Sequence, residues 1–133
     1  MNKLNKITVG LIQMRCDPEP EKNLAHAGEL VQQAAQRGAG IICLPELYRS
    51  QYFCQQEDTS LFDLAESIPG PSTEAFREIA RKHGAVIIVP IFERRAPGLY
   101  HNSVVVINAD GQAAGVYRKM HIPDDPCFYE KYY

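Results

Sequence analysis

The sequence has no excess of basic residues. Lys plus Arg number 14 against 16 Asp plus Glu, a net charge of −2. This balance argues against a nucleic-acid partner or an anionic membrane surface, since both require a cationic footprint. Long apolar runs are missing as well. The longest, Ala85 to Phe92, is eight residues and is interrupted by Pro90, well short of the ~20 residues that span a bilayer. The apolar stretch after the basic N-terminus is too short for a secretory signal and has no small-residue cleavage site. The nine glycines include no GxGxxG, no GxxxxGKS/T and no GxSxG. Dinucleotide-binding, nucleoside-triphosphatase and serine-hydrolase readings therefore have no support. The cysteines at 16, 43, 54 and 127 form no Cys-x-x-Cys pair, and the histidines at 26, 83, 101 and 121 are scattered. That spacing suits neither zinc ligation nor a disulfide framework, and it reads as reduced thiols in a cytoplasmic protein.

What is present fits a single α/β domain of 133 residues. Ile7, Val9 and Leu11 alternate as a first strand would, over Ile7 to Ile12. Leu24, Ala27, Val31 and Ala35 recur at helical spacing within Glu21 to Arg37, and Gly38 supplies the stop. The segment GAGIICLPE reads as a strand buried on both faces, with Cys43 as a small core residue. After an irregular stretch to Pro69-Gly70-Pro71, Ser72 is the expected N-cap of a second helix that Gly84 ends. AVIIVPIF is a third strand. LYHNSVVVIN and QAAGVYRK form a hairpin around Asn108-Ala109-Asp110-Gly111. The order β-α-β-loop-α-β-β-β predicts a mixed, largely parallel sheet with flanking helices. The last stretch, HIPDDPCFYEKYY, brings turn chemistry, aromatics and charges without a closing strand.

Several side chains have chemistry to offer. Glu46 follows the apolar strand directly, at the carboxyl end where open sheets collect functional groups. Partial shelter there predicts a raised proton affinity suited to a general base; the alternative is a surface glutamate. Lys119 closes the last strand on the face shared by Gly115 and Tyr117, while Arg118 shares the other face with Val116. A lysine beside a carboxylate can stabilise an oxyanion, or it is one of a solvated basic pair. His121 is either an acid or a turn residue. Asp124 and Asp125 form a turn that could also attract a cation. Glu130 is either a solvated charge or a second carboxylate of the site. Tyr48, Tyr52 and Phe53 line a pocket or fill a core.

Together, Val9-Gly10-Leu11-Ile12-Gln13, GAGIICLPEL, NSVVVIN with its ADG turn, and YRKMHIP resemble the nitrilase (carbon–nitrogen hydrolase) superfamily in order and spacing. Within it, LPELYRSQYFCQ and RKMHIPDDPCFYEKYY are most similar to the N-carbamoylputrescine amidase branch. The resemblance implies an α-β-β-α sandwich, of which residues 1–133 would be the N-terminal half, a domain incomplete at its C-terminus. It implies hydrolysis of a small-molecule carbamoyl amine to putrescine, carbon dioxide and ammonia, in polyamine biosynthesis, with no metal or organic cofactor and no nucleic-acid or membrane partner. It further implies a homo-oligomer in the full-length form. Carried over by position, Glu46 is the general base, Lys119 the catalytic lysine, Glu130 the assisting carboxylate and Tyr52 a substrate-side aromatic. The family's nucleophile lies in a G-x-x-x-C-Y/W-D elbow beyond the lysine, and neither Cys43, Cys54 nor Cys127 matches that place. The expectation is a chain inactive alone. Another carbamoyl or aliphatic amidase of the β-ureidopropionase type, with arginine near its pocket (Arg49 or Arg118), and a non-catalytic fragment acting by association are the alternatives.

Overall fold

A computed structural model describes residues 6–133. The elements are β1 (Val9–Leu11), α1 (Pro20–Gln36), β2 (Ile41–Cys43), α2 (Pro71–His83), β3 (Val86–Ala96), β4 (Leu99–Ile107) and β5 (Ala113–Arg118), with 3-10 turns at Thr59–Leu64 and Glu130–Tyr132. The expected order of elements is present. The strands lie side by side in sequence order, β1-β2-β3-β4-β5. β1, β2 and β3 are parallel, joined through α1 and α2, whereas β3–β4 and β4–β5 are antiparallel. The sheet is thus mixed, with a larger antiparallel share than AVIIVPIF suggested. The reason is local: β3 runs on through Glu93-Arg94-Arg95-Ala96 and turns back at Gly98, in left-handed backbone at φ 73°.

Both helices cover one face of the sheet. Ala27 and Val31 of α1 and Phe76 and Ala80 of α2 pack against Ile42, Ile87, Val89, Ile91, Val105 and Ile107, all buried. Each large apolar side chain buried there stabilises the fold by about 1.5–3 kcal/mol. α1 starts on Pro20, whose fixed φ suits a first helical residue, and Asn23 Oδ1 accepts from Asp17 N–H at 2.7 Å. The second helix begins earlier than expected, with Gly70 as N-cap and Pro71 as first residue. Thr73 Oγ1 accepts the Gly70 N–H at 2.7 Å. Ser72 therefore sits inside the first turn, and its N–H and hydroxyl both serve Glu66, at 2.8 and 2.6 Å. A carboxylate at this end also suits the helix dipole.

The other face is apolar and largely open. It carries Val9, Leu11, Ile41, Cys43, Val86, Ile88, Val104, Val106 and Tyr117, and Leu11 is 79% exposed. Cys43 is accordingly half-buried on this face and not a core residue. The carboxyl end of β3 is covered by the loop after β2 and by the tail. Leu47, Phe53, Cys54 and Phe92 form a second apolar cluster there, with Phe62, Tyr100, Tyr132 and Tyr133 around it. Tyr129 N–H donates to Cys54 C=O at 2.8 Å, fastening the tail to that loop. The boundary between open sheet and covered end is where the charged residues meet.

Candidate active site

Glu46 lies three residues past the end of β2, where Leu44 N–H still bonds Ile88 C=O at 3.2 Å. Leu44, Leu47 and Tyr48 are buried around it, so the backbone is pinned while the Glu46 side chain stays 56% exposed. Tyr48 reaches under the helices, its hydroxyl 2.6 Å from Ser72 Oγ. Lys119 follows β5 directly; its N–H continues the ladder to Asn102 C=O at 2.8 Å. Glu130 lies in the tail's 3-10 turn, with its side chain only 5% exposed.

Glu46, Lys119, Glu130 and Tyr52 form one continuous hydrogen-bonded chain. Lys119 Nζ donates to Glu46 Oε1 and to Glu130 Oε2, both at 2.9 Å. Tyr52 Oη donates to Glu130 Oε1 at 3.2 Å. Asn102, quoted in the sequence only as part of a strand motif, is the residue that sequence reasoning missed. Buried on β4, it donates Nδ2–H to Glu46 Oε1 at 2.7 Å. Its one available signal was its place opposite Lys119 across the β4–β5 hairpin. Both donors take the same oxygen of Glu46, so Oε2 has no partner among the described residues.

These contacts reverse the electrostatics expected for Glu46. Burial pushes its proton affinity up, but hydrogen bonds from Lys119 and Asn102 outweigh it and hold the carboxyl below the ordinary glutamate value. Glu46 is therefore ionised at neutral pH. Lys119 shifts the other way: burial would lower it, but Glu130 and Glu46 more than compensate and keep the ammonium charged. An ammonium has three donors, and two are engaged. Two pockets flank Lys119. An apolar one of about 330 Å³ is lined by Cys43, Ile88, Pro90, Val104 and Tyr117 and ends on Glu46 and Asn102. A second of about 240 Å³ runs past His101, Glu130 and Tyr133.

A carbon-nitrogen hydrolase family model matches residues 8–133. The chain belongs to that family. Across 128 residues this carbon–nitrogen hydrolase chain is 42% identical to an N-carbamoylputrescine amidase of Solanum lycopersicum, covering 96% of the chain and 42% of the relative. It is 40% identical to a citrullinase of Francisella tularensis subsp. tularensis, over 96% of the chain and 44% of the relative. Among solved structures, a carbon-nitrogen hydrolase from Helicobacter pylori G27 superposes with a TM-score of 0.89 at 44% identity, over 96% of the chain and 44% of that structure. The chain thus spans less than half the length of these relatives.

Of the remaining sequence candidates, the side chains of His121, Asp124, Asp125, Arg49 and Arg118 make no hydrogen bond to the charged chain among the described residues. His121, Asp124 and Asp125 are exposed, and Asp125 closes a turn with Phe128. Arg49 pairs with Glu21 and Glu66, and Arg118 with Glu93. Of the cysteines, Cys54 is buried and its thiol is pushed up to about 12 by burial and then by the Glu130 charge. Cys127 is exposed at φ 68°. Cys16 donates to Tyr48 C=O and Cys43 to Leu44 C=O; none of the four thiols hydrogen-bonds Glu46 or Lys119 among the described residues. Nor does any cluster of three or more His, Cys, Asp or Glu there suit a metal ion. Among the described residues no helix is long and apolar enough to cross a membrane.

Proposed function

We propose that these residues carry the base and the oxyanion-stabilising lysine of an amidase that hydrolyses N-carbamoylputrescine with one water to putrescine, carbon dioxide and ammonia. The observation that supports this best is Lys119 Nζ held 2.9 Å from both Glu46 and Glu130. In the proposed reaction Glu46 takes the proton of an attacking thiol through its unpartnered Oε2. Its negative charge is then gone, and Lys119 turns from a carboxylate bridge into a cation with donors available for the tetrahedral oxyanion. Glu130, oriented by Tyr52, keeps Lys119 aimed and charged. Collapse of the tetrahedral intermediate breaks the bond to the putrescine nitrogen, which takes the proton from Glu46 and leaves as the free amine. The restored Glu46 carboxylate then activates a water that hydrolyses the carbamoyl thioester, regenerating the thiol and giving carbamic acid that breaks down to carbon dioxide and ammonia.

The thiol itself is not among the groups described above. Cys54 is buried with a raised proton affinity, and the others make no hydrogen bond to the base among the described residues. Residues 1–133 alone are therefore proposed to be inactive. The test is ammonia release from N-carbamoylputrescine, by the isolated chain and by the enzyme that carries it. The expected result is turnover only in the latter; turnover by the isolated chain that vanishes in Cys43→Ala or Cys54→Ala overturns it.

A cationic substrate tail is favoured over an anionic one by the fate of the two arginines. Arg49 and Arg118 are both committed to carboxylates that are themselves buried, Glu66 and Glu93, and so are not available to a substrate carboxylate. The similarity to amidases acting on carbamoylputrescine points the same way. Comparing kcat/KM for N-carbamoylputrescine and 3-ureidopropionate decides between them, with the amine expected to be preferred.

A further inference from the structure

Arg118 and Lys119 are adjacent cations at the end of an edge strand, and only one of them can face Glu46. Successive strand residues point to opposite faces, so a slip of one residue would exchange the faces on which they lie. The pairing of β5 with β4 contains such a slip in latent form. From Ser103↔Arg118 to Val106↔Gly115 the register is regular, but Ile107 then pairs with Ala113, leaving Ala114 as an extra, bulged residue. On the turn side of the bulge, Asn108 N–H bonds Gln112 C=O at 2.8 Å in the register of Ile107↔Ala113. If the bulge were straightened, that register would extend along the strand. Arg118 would then lie opposite Asn102, on the face of Glu46, and Lys119 would move to the other side. The turn by itself does not hold Lys119 in the site. Among the described residues β5 pairs on one side only, with β4, so no second neighbour there opposes the slip.

On the opposite face, at the same level, a group is built to tell the two cations apart. Glu93 of β3 has a side chain 3% exposed. Arg118 grips it with two parallel bonds, Nε to Oε2 at 2.8 Å and Nη2 to Oε1 at 2.5 Å, and Ser103 Oγ donates to Oε2 at 2.6 Å. A guanidinium fork fits a carboxylate in this way and an ammonium does not. After the slip Tyr117 would lie opposite Ser103 and Lys119 opposite His101, leaving the buried Glu93 with no guanidinium to grip it. We infer that the Glu93–Arg118–Ser103 cluster is a register selector, which maintains the Ala114 bulge and thereby delivers Lys119, not Arg118, to Glu46 and Glu130. Bulges that re-aim a side chain and buried ion pairs that specify register are each known devices; here one stabilises the other. In this role Glu93 and Arg118 are positioning residues that touch no substrate.

The inference relies on the proposed function only for what Lys119 does once delivered; the pairing itself is measured independently. In the 133-residue chain, cross-strand backbone NOEs report whether Asn102 lies opposite residue 119 or 118. The wild type is expected to show the first alone. The double variant Glu93→Gln/Arg118→Met leaves no unpaired buried charge, and it is expected to raise the slipped pairing at least about tenfold from a minor population. Arg118→Lys, which keeps the charge and loses the fork, is expected to do the same and serves if the double variant does not fold. Deleting Ala114 in either background removes the latent slip and is expected to restore pairing of Asn102 with Lys119, a rescue that a merely stabilising ion pair would not show. A folded variant that keeps the single bulged pairing overturns the inference, as does slippage that the deletion fails to cure. If the pairing results hold but Lys119→Met leaves turnover intact in the enzyme, the role given to Lys119 falls and the register device stands.

Discussion

The two faces of the β3–β5 ribbon carry nearly the same chemistry in opposite states of solvation. On one, Glu93 accepts from a hydroxyl and a guanidinium and its side chain is 3% exposed. On the other, Glu46 accepts from an amide and an ammonium and is 56% exposed. In both, burial raises the proton affinity and hydrogen bonds outweigh it, so both carboxyls lie below the ordinary value. What separates them is the number of engaged atoms. Both oxygens of Glu93 are occupied by rigid donors, which suits it to hold strands in place. Glu46 keeps one oxygen unpartnered beside a pocket, which suits it to exchange a proton. Like residue types thus divide into structural and reactive roles through geometry and access to solvent.

The comparison can be broken most severely from the covered face. Phe76→Ala, beneath the helices, is expected to cost about 3–5 kcal/mol of unfolding free energy in urea titrations. Next in size is Lys119→Met: in the proposed amidase, kcat is expected to fall about 10²–10³-fold, a larger effect than the loss of stability from leaving buried Glu130 without its cation. An equal loss of stability and activity would mean that Lys119 is structural like Arg118.

Acid titration sharpens the contrast between the carboxylates. A glutamate whose folded value is depressed stabilises the fold above its unfolded value, near 4.5, and that contribution is lost as pH falls through the depressed folded value. Stability is therefore expected to decline below about pH 4.5. Glu93→Gln should flatten this decline more than Glu46→Gln, because solvent screens the exposed Glu46. At high pH the sign reverses for Lys119, whose raised value stabilises below the unfolded 10.5 and is lost as pH rises past the folded value.

Thiol labelling reports on the same division of covered and accessible groups. With native protein at pH 8, iodoacetamide is expected to modify exposed Cys127 and to spare Cys54, whose value of about 12 leaves on the order of one thiolate in ten thousand. Peptide mass mapping reads the result. The smallest effect is expected on the open face, where Leu11→Ala should change stability by less than about 0.5 kcal/mol. A larger change would show that this face is packed against something in solution.

Much of the fold was legible because its signals are local. Helical spacing in α1, the apolar runs of β2 and β3 and the Asn108–Gly111 turn each act within one element. The helix start at Gly70 was misplaced because Pro71 and Thr73 together outweigh Ser72, which is drawn off by Glu66. Cys43 was misread as core because an apolar run does not say which faces of its sheet are covered.

The site divides along the same line. Sequence alone set Glu46 at the carboxyl end of a strand and Lys119 next to Arg118 at the end of another, since both follow from where strands stop. Only tertiary structure joined them, across separations of 73 residues for Glu46–Lys119 and 56 for Glu46–Asn102. It also turned the expected rise in Glu46 proton affinity into a fall. Burial can be anticipated from neighbouring residues in the chain, but the sign of a shifted equilibrium is set by donors within hydrogen-bond reach, which folding brings in from distant strands.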